Sequence, residues 1–155
     1  MAAQQENISD ALIWQITRKS NAFLVKRTQA GGVQFSRDPH NLLNKHTSKY
    51  SGYANSRAIG VSKGENNKIT VSTKTHGKAH QPARAHHAQT YGAGKSARNV
   101  SRSAVGGTAK KGYRSDLRRE TVARVSALKK AQRPVRERPT KTRTGKKAKV
   151  AETEA

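Results

Sequence analysis

Between Glu65 and Asp116 the chain carries no carboxylate at all. Basic side chains in that gap cannot be neutralised locally, so they must face water or an external polyanion. The rest of the chain sharpens the constraint. Residues 1–76 hold 11 basic and 4 acidic side chains, residues 77–155 hold 21 and 5, and the formal net charge is +23. Apolar residues run the other way, with Trp14, Phe23, Phe35 and the isoleucines all before residue 77. A small folded front half is expected, followed by a basic back half that cannot bury enough apolar surface to fold alone.

A polyanionic partner relieves such an excess of charge, and counterion release makes nucleic acid the natural one. A membrane surface is the competing polyanion, but no run of 18 or more apolar residues exists and no basic amphipathic stretch carries an aromatic apolar face. Cysteine is absent, which removes disulfides, thiolate metal sites and thiol nucleophiles. The opening MAAQQENISD has no apolar core, so no secretory signal is read there and the compartment is expected to be cytosolic or nuclear.

The expected fold class is α+β, a small antiparallel sheet with a packed N-terminal helix, followed by an extended basic arm containing one long helix. Ser9 or Asp10 can cap a helix that places Ile8, Leu12, Ile13 and Ile16 on one side. Ala22–Thr28 and Val33–Arg37 read as strands around Ala30-Gly31-Gly32, and Arg57–Ser62 and Lys68–Lys74 as a second pair around Gly64-Glu65-Asn66-Asn67. These form a domain over residues 8–76, with Trp14 in its core beside Phe23 and Phe35. Residues 77–113 read as an extended basic arm. Within 114–133, Ser115 or Asp116 caps a helix from about Leu117 to Gln132, stopped by Pro134. Leu117, Thr121, Val125 and Leu128 form its apolar stripe, with a basic arc opposite. Residues 134–155 form a low-complexity basic tail.

No catalytic constellation emerges. The acids are too scattered for a working carboxylate pair, and no nucleophile-elbow sequence is present. His76 and His80 have helical metal-ligand spacing, with His86 and His87 close behind, but nothing completes a zinc shell. No metal or other cofactor is expected, and the histidines are read as stacking on bases or touching phosphate. Gly92-Ala93-Gly94-Lys95-Ser96 suggests a phosphate loop, yet the motif needs a glycine where Gln89 stands, after a buried strand and before an apolar helix. Neither element is expected, and the segment reads as flexible backbone. Tyr50, Tyr53, Tyr91 and Tyr113 lie beside basic residues, where base stacking and local packing both remain open.

The candidate RNA-binding residues are Lys26, Arg27, Arg37, Lys45, Lys49, Tyr50 and Arg57 in the front half. In the arm they are Arg84, Lys95, Arg98, Arg102, Lys110 and Lys111, and in and around the long helix Arg114, Arg118, Arg119, Lys129, Lys130 and Arg133. Each can meet a phosphate or, for the tyrosine, a base.

Several segments resemble one family. Leu12-x-Trp14, Asn21-Ala22-Phe23-Leu24-Val25-Lys26-Arg27, Phe35-Ser36 and Pro39-His40-Asn41-Leu42 come in order, followed by Ser48-Lys49-Tyr50-Ser51-Gly52 and Ile59-Gly60-Val61. Tyr113-Arg114-Ser115-Asp116-Leu117-Arg118 and Arg133-Pro134-Val135 complete the set. Together they resemble the eukaryote-type large-subunit ribosomal protein number twenty-eight. The resemblance implies a non-enzymatic component of the large ribosomal subunit, bound to its ribosomal RNA and to neighbouring ribosomal proteins, without a small-molecule substrate or a homo-oligomeric state. It implies cytoplasmic ribosomes as its location, with assembly in the nucleolus. Two alternatives are a nucleolar ribosome-assembly factor with a related domain, and a basic chromatin or DNA-binding protein. The latter would not need a Trp-anchored front domain.

Overall fold

The computed structural model describes residues 8–29, 31–78 and 80–135. The fold is α+β. Helix α1 spans Asp10–Thr17, and Ser9 caps it by accepting from the Leu12 amide at 3.3 Å. Asp10, the other candidate cap, instead accepts from the amide and hydroxyl of Ser56 at 2.9 and 3.0 Å. Strands β1 (Leu24–Lys26) and β2 (Gln34–Ser36) pair antiparallel, with Val25 opposite Phe35. The turn between them uses Gly31 and Gly32, both at positive φ of +76° and +72°, which a side chain would disfavour.

The main sheet is β3 (Ile59–Lys63), β4 (Ile69–Lys74) and β5 (His86–Tyr91), antiparallel in that order. The β3–β4 hairpin turns at Gly64–Asn67, where Asn66 and Asn67 take left-handed φ of 50° and 57°, a conformation asparagine tolerates better than most residues. Val61 lies opposite Val71, and Ile69 opposite Tyr91. With period 2, these side chains share one face with Ile59. Helices α2 (Ala97–Gly107) and α3 (Arg118–Ala131) supply the other half of the core, through Val100, Ala104 and Val125, joined by Leu117 and Leu42.

Two expectations are corrected here. Residues 77–113 are not an extended arm, because they contribute β5 and α2 to the core. A strand added to the free edge of β4 satisfies its backbone by pairing, so it needs little apolar surface, and only Tyr91 of its six side chains is buried. The core is also not anchored on Trp14. No residue of α1 is buried, Leu12 and Ile16 are exposed, and Phe35 is 42 % exposed. Helix α1 is bonded instead to the 38–56 loop, Asp10 to Ser56 and Thr17 to Tyr53, while α2 and α3 cover the apolar face of the sheet. Trp14 is half-buried and packs at 4.8 Å, ring to ring, on His46.

The long helix is present, but neither Ser115 nor Asp116 caps it. Ser115–Leu117 forms a 3-10 turn leading into α3, and no side chain bonds its N-terminus. A strand and a helix do flank Gly92–Ser96, contrary to expectation. The strand is a largely exposed edge, and Ser96 is spent capping α2 through the Asn99 amide at 3.3 Å. Of the expected tail, 134–155, all but Pro134 and Val135 lies outside the described residues.

The loop from Asp38 to Ser56 wraps around the sheet: Pro39 and His40 lie against its second face at Gly60 and Ser72, while Leu42 and Tyr50 pack on the core. Asp38 is 4 % exposed, and its carboxylate accepts from the amides of His40 (2.9 Å) and Tyr53 (2.8 Å). Lys74 closes the loop by donating to the carbonyls of Gly52 (2.8 Å) and Asn55 (2.9 Å). Gly60 and Gly52 permit the approach. A Cβ on Gly60 would stand 2.6 Å from the Pro39 carbonyl, and one on Gly52 would overlap the His40 Cβ.

Candidate nucleic-acid interface

The acids of the described residues are drawn into the fold. Asp10 holds Ser56 and Asp38 holds two loop amides. Asp116 receives the Arg114 guanidinium at 2.9 and 3.0 Å, and that hydrogen bond holds its carboxyl below the usual range despite partial burial. Glu120 accepts from the Tyr50 hydroxyl at 3.1 Å and pairs with Lys49 at 3.5 Å. Only Glu65, in the β3–β4 turn, stands clear of such partners. Most of the cations are left outside.

Of the candidate residues, Lys26, Arg27, Arg37, Lys45, Arg57 and Arg84 are exposed, as are Arg98, Arg102, Lys110 and Lys111. Arg98 and Arg102 are one turn apart on α2, on the side away from Val100 and Ala104. Arg118, Arg119, Lys130 and Arg133 are exposed along and just beyond α3, while Thr121 and Val125 turn inward. Lys95 is exposed and reaches over the Tyr91 ring, 5.7 Å from its centre.

Five candidates have intramolecular work, among them Lys26, whose ammonium donates to the Lys19 carbonyl at 3.3 Å. Lys49 and Tyr50 meet Glu120, and Lys129 donates to the Ala93 carbonyl at 2.8 Å. Arg114 sits at a left-handed φ of 49° and binds Asp116 together with the carbonyls of Arg57 and Lys49, each at 2.8 Å. Those bonds offset the backbone strain and tie the start of α3 to the front of the chain.

The aromatic side chains form no stacking row. The Tyr113 hydroxyl donates to the Lys74 carbonyl at 2.6 Å and accepts from the Ala58 amide at 3.1 Å, with the Ala58 carbonyl at 3.2 Å. Burial holds that phenol above its usual range. Tyr53 bonds Thr17 at 3.0 Å, Tyr91 donates to Gln89 at 3.0 Å, and Phe23 packs on Tyr53. Each of the four tyrosine hydroxyls thus has an intramolecular hydrogen-bond partner.

Among the histidines, His40 stacks on His86 with ring centres 4.8 Å apart, and its Nε2 lies 3.3 Å from the Ser72 hydroxyl. Burial first, and the neighbouring His86 second, lower its pKa. Among the described residues no three His, Cys, Asp or Glu side chains gather as a metal site, and no helix is long and apolar enough to cross a membrane.

Sequence reasoning did not single out Arg18, Lys19, Lys63, Lys68 or Lys78, all of which are exposed. The signal available for Lys63 and Lys68 was their place at the two ends of the Gly64–Asn67 turn, where the hairpin tip meets water. Arg124, also unlisted among the candidates, is half-buried, and its Nε lies 3.5 Å from the Val61 carbonyl.

A small α+β body with four of its five described carboxylates bonded internally and most of its cations exposed defines a class, the compact basic proteins. The chain belongs to the ribosomal L28e protein family, whose pattern it matches over residues 12–131. It is 40 % identical over 129 residues to the large ribosomal subunit protein eL28 of Schizosaccharomyces pombe, covering 83 % of this chain and 96 % of that one. The proteins of the same name from Caenorhabditis elegans and Dictyostelium discoideum are 48 % and 39 % identical over 68 and 84 residues. Those matches cover 43 % and 54 % of this chain, and 52 % and 61 % of the relatives.

Proposed function

We propose that the protein is a structural constituent of the large ribosomal subunit, binding ribosomal RNA through phosphate contacts and stabilising the RNA fold. The observation that carries this reading is the internal bonding of four of the five described carboxylates, which leaves the outer sides of α2 and α3 cationic. Phosphate neutralisation with counterion release is the interaction such a surface makes best. Internally bonded tyrosines argue for backbone contact over base stacking. The relatives, named as large-subunit proteins, supply the ribosomal context and support a non-enzymatic role among neighbouring ribosomal proteins, in cytoplasmic ribosomes after nucleolar assembly. The chain acts as one copy without a cofactor.

Affinity for a ribosomal RNA fragment, measured across salt, tests the phosphate reading. Six to ten contacts weaken binding by roughly 10³–10⁵ between 50 and 200 mM, and a flat response refutes it. Cosedimentation with large subunits after a high-salt wash tests the ribosomal part.

A further inference from the structure

Three distant segments meet at one open cleft of about 480 Å³. Arg57 enters from the residues before β3, His76 from the end of β4, and Lys111 with Gly112 from the turn before α3. Tyr113 fixes their relative positions, since its hydroxyl holds Ala58 on one side and Lys74 on the other. Lys74 also lines the cleft, but its ammonium is committed to loop carbonyls. The side chains of Arg57, His76 and Lys111 are exposed and make no hydrogen bond or ion pair among the described residues. No carboxylate lines the cleft. Gly112, at φ +74°, has no atom within 4 Å of where a Cβ would stand, so that wall is open.

A rigid floor ringed by uncommitted cations and lacking any acid is suited to an anion shared between those cations. We propose that this cleft seats a single phosphate of an RNA backbone, held jointly by Arg57 and Lys111 with the His76 imidazole as a further donor. The inference rests on the RNA-binding reading above and adds to it a definite seat. It differs from a surface of independent charges in a measurable way. Two separate contacts would each contribute about one to the salt slope, whereas two cations on one phosphate contribute about one between them.

The experiment uses the full chain and a mixed-sequence duplex RNA, with affinity read by anisotropy between 50 and 200 mM salt. Arg57→Ala, Lys111→Ala and the double variant are compared with Arg98→Ala/Arg102→Ala on α2. For the shared seat, the double variant loses about one from the slope, which softens the salt response by about fourfold over that range. Its affinity then lies close to that of the weaker single variant, a non-additivity expected of residues with a common partner. A slope loss of about two with multiplicative effects overturns the proposal in favour of separate surface charges, and an unchanged slope and affinity overturns it outright. A wild-type chain with no salt dependence would instead sink the RNA-binding reading itself. In a second arm, the Gly112 and Tyr113 amide resonances are followed with the duplex and with inorganic phosphate. Perturbation by the duplex at far lower phosphate concentration is expected, and equal response to the free ion overturns the assignment to RNA.

Discussion

Tyr113→Phe removes one oxygen and leaves the ring, so it isolates what the hydroxyl does. That oxygen donates to the Lys74 carbonyl at 2.6 Å and accepts from the Ala58 amide at 3.1 Å. The Ala58 carbonyl keeps a second donor, the Lys74 amide at 3.1 Å, so it is not orphaned. The Ala58 amide is worse placed, because Ala58 is 2 % exposed and loses the acceptor the fold gives it. Losing the two bonds costs about 1–3 kcal/mol, and stranding a buried donor sets the total toward the upper end, about 2–3 kcal/mol. For a chain of this size that lowers the melting temperature by roughly 4–12 °C. Denaturant melts of the two proteins measure the loss, and amide exchange should show the Ala58 N–H opening faster in the variant. A stability change below about 0.5 kcal/mol would refute the idea that this hydroxyl joins the C-terminal segment to the sheet.

Three further outcomes are expected. Gly60→Ala should destabilise by about 1–3 kcal/mol through overpacking, since the new methyl meets the Pro39 carbonyl and the Ser72 hydroxyl; an unchanged denaturation midpoint would mean the loop does not lie on the sheet. His40 has a lowered pKa in the fold, so the unfolded chain takes up its proton first, near the ordinary value of about 6.5. Stability should therefore fall as pH drops below that value toward the lowered one, and His40→Gln should flatten this part of the melting profile. Ile69→Ala, at a fully buried position, should cost about 2–5 kcal/mol and more than Trp14→Ala, and the reverse order in urea melts would restore Trp14 to the core.

The β3–β4 hairpin was legible because Ile59, Val61, Ile69 and Val71 alternate about a turn rich in Gly and Asn. Helix α3 was legible because Leu117, Thr121, Val125 and Leu128 repeat at helical spacing. The sequence HHAQTY of β5 offered no such signal, as an edge strand with one buried side chain has no apolar period to display. Helix α2 was hidden by its composition, since Val100, Ala104 and Val105 are small and stand among Gly, Ser and Arg. Cations in general could be assigned to the surface from charge alone. Which of them the fold would consume could not, because Tyr50 and Lys49 meet Glu120, and Arg114 meets Arg57 and Lys49, across long separations in the chain. The cleft shared by Arg57, His76 and Lys111 is a product of topology, and no local pattern announces it.

The position of Val125 in the same core as Ile59 and Ile69 has a consequence for biosynthesis. A chain is made from its N-terminus at about 5–20 residues per second, so the apolar side of the β3–β4 hairpin emerges seconds before the helices that cover it. Throughout that interval a greasy, hydrogen-bond-hungry ribbon is tethered to a growing segment without a single carboxylate. Such a nascent chain can neither finish folding nor shed its charge, and it is exposed to adventitious capture by whatever polyanion or strand lies nearest.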